Sequence, residues 1–358
     1  MRHEPHVVWL NECPPDGAWL VGGKAMALGS LLRAGFQVPA GFAVTTAAYR
    51  EHIQHNRLAD DIQRLVRQGR TFSEQQRAAE EIRRLFEHSQ PSAQLEDQVL
   101  RAHEVLCRHS GSGQQPMAVR SSATAEDMAE ASFAGQQETY LWIIGGEQVV
   151  QHVVRCWASL FTAQALAYRA HVKTPIADLA MGVVVQCMVP AEAAGVMLTI
   201  DPVNGDRSAI VVEAAYGLGA AVVNGEVTPD RFCVDKVMLD IRSRVLGSKT
   251  HAYRFDPAVQ GTRLEAVAAT LRAQPCVSDE EVLELAALGK RMEHAAGRPQ
   301  DMEWAIGPGP TSPRDVFLLQ ARPETVWSAK QPVPVSQGVS SVMAGILRSM
   351  HVPGDGLR

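Results

Sequence analysis

Asp301-Met302-Glu303-Trp304-Ala305-Ile306 and Phe317-Leu318-Leu319-Gln320-Ala321-Arg322-Pro323, separated by a Gly- and Pro-rich stretch at 307–314, read as the two strands of a hairpin. Successive side chains of a strand alternate between faces, so Met302, Trp304 and Ile306 fall on one face and Glu303 on the other. The same alternation puts Gln320 and Arg322 together. Paired as a hairpin, Glu303, Gln320 and Arg322 share one face, with two oxygen donors for Mg²⁺ and a guanidinium for phosphate. A surface ion pair between Glu303 and Arg322 is the plainer alternative, and it would add little stability.

Outward from this hairpin the pattern is mixed. Residues 182–189 (GVVVQCMV), 195–200, 209–213 and 231–235 read as strands, the first apolar enough to be buried on both faces. Helices are expected at 24–33 and 45–56, in three periodic segments up to about 109, at 147–171, at 256–272 and at 278–296. The fold class that follows is α+β. We divide the chain into a mainly helical N-terminal lobe (1–116), a sheet-containing region carrying the C-terminal metal and phosphate strands (117–327), and a linker with a possible partner-docking helix (328–358).

Three earlier segments carry residue types suited to an anionic ligand. Gly22-Gly23-Lys24-Ala25 opens a helix, where free N–H donors and the helix dipole favour negative charge, but it lacks the Ser/Thr and first glycine of a P-loop. A solvated surface lysine is its alternative. Val119-Arg120-Ser121-Ser122-Ala123-Thr124 ends an apolar piece with an arginine able to fork onto phosphate oxygens; a helix N-cap followed by Glu126 and Asp127 competes with that reading. Residues 132–139, with Gly135, Gln136 and Thr139, could close backbone amides over phosphates or simply connect two elements. Gln186-Cys187-Met188-Val189, at the end of a buried strand, could edge a nucleobase or be core.

Composition excludes several classes. The net charge of -5, without a basic run, gives no support for nucleic acid or an anionic membrane as partner, and 6% aromatic residues argue against a stacking platform. No segment approaches the ~20 apolar residues of a membrane span. Six scattered cysteines without metal spacing read as a reduced, cytoplasmic set.

In order, GGKAMALGSLLRAGFQVPAGFAVT, AVRSSATAED, SFAGQQETY, VVQCMV, EAAYGLGAAVVNGEVTPDRF, DMEW and LLQARP resemble the ATP-binding domain shared by phosphoenolpyruvate synthase, pyruvate phosphate dikinase and rifampicin phosphotransferase. The resemblance implies an ATP-grasp-type domain, two lobes around an ATP cleft. It implies that Lys24, Arg120 and Arg322 contact the phosphates and take part in catalysis, with Gly135, Gln136 and Thr139 in the loop above them. Gln186, Met188 and Val189 would border the adenine, and Glu303 and Gln320 would hold Mg²⁺. In such enzymes the β- and γ-phosphates pass together to a histidine, leaving AMP. None of the twelve histidines lies in the Thr-Ser-His context that relatives use, so a separate subunit is expected to carry that histidine and the acceptor site. This division resembles phenylphosphate synthase, where the acceptor is phenol.

Overall fold

The computed structural model describes residues 4–110, 113–124, 138–172, 179–256, 261–309 and 314–327, with side chains left out at 169–172. In chain order the elements are β1 (Val7–Trp9), α1 (Ala18–Arg33), β2 (Gly41–Val44), α2 (Thr46–His55), α3 (Ala59–Gln68), α4 (Phe72–Glu87), α5 (Ala93–His109), β3 (Met117–Ala123), β4 (Thr139–Ile143), α6 (Gly146–Ala158), α7 (Ala163–Val172) and β5 (Met181–Cys187). There follow β6 (Ala193–Leu198), β7 (Ala209–Tyr216), α8 (Ala220–Val223), β8 (Asp230–Asp235), β9 (Ile241–Val245), β10 (His251–Asp256), β11 (Gly261–Ala266), α9 (Ala269–Arg272), α10 (Asp279–Ala296), β12 (Gln300–Ile306) and β13 (Val316–Pro323). The chain is α+β, as its texture implies.

Two antiparallel sheets organise it. The first runs β1-β2-β5-β3-β4 and the second β13-β12-β6-β7-β8-β9, while β10 and β11 form a hairpin of their own. Strand β5, flanked on both sides, is apolar apart from Gln186 because neither of its faces meets water. One face of the first sheet packs on α4, α5 and α6 around Phe42, Val119, Val185, Phe86 and Trp157. The other face, through Ala43 and Val184, shares a core with α1, and that core continues into the second sheet and α10. Helix α1 is therefore the apolar filling between the sheets. Local chemistry fixes the helix ends: Thr71 with Glu74 and Ser278 with Glu281 form capping boxes on α4 and α10, and Gly297 closes α10 in the left-handed region.

The structure corrects three expectations. The boundary at 116 cuts the first sheet, whose strands β1 and β2 come from the supposed helical lobe; at three and four residues they are too short to show a period. The helix at 147–171 is broken. Ser159 donates its hydroxyl hydrogen bond back to the Cys156 carbonyl (2.6 Å), and Thr162 turns extended to cap α7 through the Ala165 amide (3.2 Å). Within 256–272 the described residues hold the last residue of β10, all of β11 and the short α9, because Phe255 pairs with Thr262 and Asp256 with Gly261.

Candidate functional site

The site is built where β3 passes under the start of α1 and faces β12 and β13. Helix α1 is interrupted at Gly22, whose φ of 78° and ψ of 167° reset the helix at Gly23. Only glycine serves there. The left-handed φ is strained for other residues, and an added Cβ would sit 2.0 Å from the Ser122 carbonyl oxygen. This close approach lets the Ser122 hydroxyl accept from the Ala25 amide (3.2 Å) and brings the buried Lys24 ammonium within 2.9 Å of the Ser121 carbonyl. Lys24 thus sits in the first turn of a helix and beside β3, as its glycine pair suggested.

Arg120, one residue along, crosses from the first sheet to the second. Its Nη1 donates to the Leu319 carbonyl (2.9 Å) and its Nη2 to Gln320 Oε1 (2.7 Å), with Glu303 Oε2 at 3.3 Å. Glu303 and Gln320 stand directly opposite each other in the β12–β13 ladder. Arg120 is only 9% exposed, yet its Nε has no hydrogen-bond partner among the described residues. An unsatisfied donor on a desolvated cation is a cost that a purely structural role leaves unexplained.

Arg322 lies on the same face, opposite Asp301 rather than Glu303, and donates to Asp301 Oδ2 from Nε and Nη2 (3.2 and 3.1 Å). The ion pair foreseen between Arg322 and Glu303 is therefore replaced: Glu303 meets Arg120, and Arg322 meets Asp301. Burial pushes the Asp301 carboxyl above the ordinary aspartate range, and Arg322 only partly offsets this. Asp301 is a residue that the sequence reading passed over. Its signal was present, since alternation puts it two positions before Glu303 on the same face.

The other expected residues divide. Thr139 is exposed and pairs with Arg120 at the start of β4, beside the proposed phosphate contacts. Gly135 and Gln136 lie outside the described residues. Gln186 is corrected: its amide donates to the Pro39 carbonyl (2.9 Å), and its backbone is flanked by Gly41 and Ala118, so it ties β5 into the sheet instead of facing a ligand. The Met188 amide donates to Pro116 O (2.9 Å) and its carbonyl accepts from Gln115 Nε2 (3.3 Å). Val189 packs with Ala194 and Ala305 of the second sheet. Met188 and Val189 therefore mark the junction between sheets, and a nucleobase there would meet their side chains more than their backbone.

Glu303 and Gln320 suit a hard cation, because a carboxylate and an amide oxygen face each other in register and both already coordinate a positive group, the Arg120 guanidinium. Taken together, Lys24, Arg120 and Arg322 with Asp301, Glu303 and Gln320 can hold a polyanion together with a divalent cation. Among the described residues no helix is long and apolar enough to cross a membrane.

The sequence matches the family described as "Pyruvate phosphate dikinase, AMP/ATP-binding domain" over residues 18–341. Similar curated proteins include a phosphoenolpyruvate synthase of Aeropyrum pernix, 41% identical over 352 residues, covering 91% of this chain and 43% of the relative. A probable phosphoenolpyruvate synthase of Methanothermobacter thermautotrophicus is 36% identical over 361 residues (97% of this chain, 52% of the relative). One of Methanocaldococcus jannaschii is 38% identical over 322 residues (89% and 26%). The chain thus spans about half or less of the length of these relatives.

Proposed function

The chain belongs to the pyruvate phosphate dikinase AMP/ATP-binding family, and from that premise we propose that it is the ATP-binding module of a dikinase-type phosphotransferase, with an ATP-grasp-type cleft between its two sheets. Lys24 and Arg120 approach the phosphate chain from the first sheet and Arg322 from the second, while Val189 and Met188 border the base. Glu303 and Gln320 would hold Mg²⁺ through their side-chain oxygens. When bound, that ion neutralises charge on the β- and γ-phosphates. The chain's own contribution is positioning: cations fixed on rigid strands meet a substrate whose transition state spreads negative charge over oxygens.

In this reading a histidine nitrogen attacks the β-phosphorus in line. The bond between that phosphorus and the α,β-bridging oxygen breaks, AMP departs, and the histidine carries the diphosphoryl group. The histidine belongs to a separate subunit, which also supplies the acceptor site, and phenol is the acceptor that the divided arrangement of phenylphosphate synthase suggests. A second reading follows from the lengths of the relatives, since the chain matches 43% and 52% of two synthases: the same module as part of a longer phosphoenolpyruvate synthase.

The observation that carries the proposal is Arg120, a nearly buried cation that reaches from the first sheet to Glu303 and Gln320 of the second. AMP formation from Mg-ATP in the presence of the histidine-bearing component tests it. Glu303→Ala should lower AMP formation by about a hundredfold or more, in the range for losing a preorganised charge-stabilising group, while the circular dichroism spectrum is unchanged. Undiminished AMP formation in a folded Glu303→Ala protein overturns the assignment. Binding of ATP without turnover by any tested histidine-bearing protein would favour a nucleotide sensor.

A further inference from the structure

Strand β4 is the edge of the first sheet and contains an irregularity on the side away from Arg120. Met117 pairs with Ile143 but Val119 with Tyr140, so Leu141 and Trp142 together oppose Ala118 in a β-bulge. Trp142 occupies the bulge with a φ of 62°, a conformation that suits glycine and is an outlier for a bulky side chain. Its indole Nε1 is buried without a hydrogen-bond partner among the described residues. Two local penalties at one residue call for a compensating contact, and a bulge at a sheet edge characteristically re-aims a side chain. The contact is Phe255 of β10: the rings stack with centroids 4.6 Å apart and an interplanar angle of 19°.

The hairpin that carries Phe255 is rooted in the second sheet. Gly217, at φ 74°, lets the backbone come close to Tyr253, and the Leu218 amide donates to the Tyr253 carbonyl (3.0 Å) at the end of β7. From this base the hairpin reaches the far edge of the first sheet. At the other end of β4, Thr139 pairs with Arg120, and the adjoining Glu138 carbonyl accepts from the Ser121 amide (3.0 Å). The strand therefore connects the Trp142 stack to the border of the polyanion site over three residues, about 10 Å of extended chain.

We infer that Trp142 is a positioning residue: stacked on Phe255, it latches edge strand β4 to the β10–β11 hairpin and so holds Thr139 in place opposite Arg120. The latch joins the outer edge of the first sheet to the β10–β11 hairpin through apolar contact, whereas Arg120 joins the two sheets through polar contacts. Its bearing on ligand binding rests on the nucleotide reading given under "Proposed function"; its bearing on β4 does not.

Hydrogen exchange of the full chain, followed by mass spectrometry, separates the two. In Phe255→Ala, amides of 138–143 should exchange about tenfold faster or more, as expected for an edge segment that opens locally, and Phe255→Tyr should restore the native rate. Phe255→Leu, which keeps apolar volume without an aromatic face, replaces the alanine variant if the latter does not fold. Faster exchange confined to 251–266 overturns the latch. In the same variants, Mg-ATP affinity measured by titration should fall about threefold or more in Phe255→Ala and return in Phe255→Tyr, since displaced contacts weaken a preorganised site. Unchanged affinity beside faster exchange at 138–143 overturns the positioning role. A wild-type chain that binds no nucleotide refutes the site reading, and the exchange result then still decides the latch.

Discussion

Two ion pairs in this molecule, one fully buried and one half-buried, are built on opposite plans. Lys249 and Asp230, both fully buried, form a closed site: Asp230 accepts from the Lys249 ammonium and from the Gly247 and Cys276 amides (2.9 and 3.0 Å), and Lys249 donates again to the Gly247 carbonyl (3.1 Å). Arg120 and Glu303 form an open one. Glu303 keeps 29% of its side chain exposed, and Arg120 Nε has no partner among the described residues. A closed pair stabilises a loop and leaves nothing for a ligand, whereas an open pair holds charge ready for exchange of partners. Burial and opposite charge alone do not distinguish structure from function; the remaining hydrogen-bonding capacity does.

The largest expected effect tests the closed pair. Replacing Lys249 by Met leaves the Asp230 carboxylate without its counter-charge in a dry site, and breaking a buried pair in this way typically costs about 3–5 kcal/mol. Urea unfolding should show a loss of this size with an unchanged slope. A loss below about 1 kcal/mol would mean that solvent reaches Asp230 and the closed description fails.

The helical half treats buried polarity in a third way, by neutralisation. His52 stacks on Phe86 (6.1 Å) and lies tilted against Trp157 (5.0 Å), with Ser89 Oγ 2.8 Å from its Nε2, and burial lowers its pKa from 6.5 to about 4, with His55 adding to the shift. The folded state then binds the proton more weakly than the unfolded state. Stability from this group is complete above pH 6.5 and declines as pH falls from there towards 4. At ~1.4 kcal/mol per unit, the upper bound on the decline is about 3 kcal/mol. His52→Gln should flatten that slope in urea midpoints measured between pH 7 and 4; an unaltered slope would assign it to other groups, such as His103 and His152, which burial shifts the same way.

Legibility from sequence follows the range of the interaction. The β12–β13 hairpin could be read because period-two alternation is local, and it put Glu303, Gln320 and Arg322 on one face; the structure agrees and adds Asp301. Lys24 at a helix start was legible from its glycines, but not the reason for Gly22, which is the Ser122 backbone about a hundred positions away. The reach of Arg120 to Glu303 and Gln320 spans more than 180 positions, so only the type of residue was visible and not its partners. Residues 256–272 failed for a different reason. Their apolar spacing fits a helix as well as a hairpin, and cross-strand pairs such as Phe255 with Thr262 settle it. Gln186 failed because a side chain at the end of a central strand can face a ligand or a neighbouring loop with the same local pattern.

The smallest expected effect is the sharpest test of the open pair. Arg120→Met removes a guanidinium that has been taken out of water without full hydrogen-bonding compensation, and puts an apolar chain of similar length among Ala118, Val184 and β13. Removing one partner of an ion pair is costly when it leaves the other charge buried and uncompensated, a condition that is not met at Glu303. Glu303, partly exposed, can recover hydration once Arg120 is gone. The net change in unfolding free energy should therefore stay within about 1 kcal/mol of zero, the range of exposed and half-exposed pairs. A loss of 3–5 kcal/mol, about that expected for Lys249→Met, would place Arg120 among the closed structural pairs and remove the observation on which the proposed nucleotide site stands. A near-zero change combined with lost Mg-ATP binding would separate the two plans in one variant: the charge at β3 is then maintained for the ligand and contributes little to the fold.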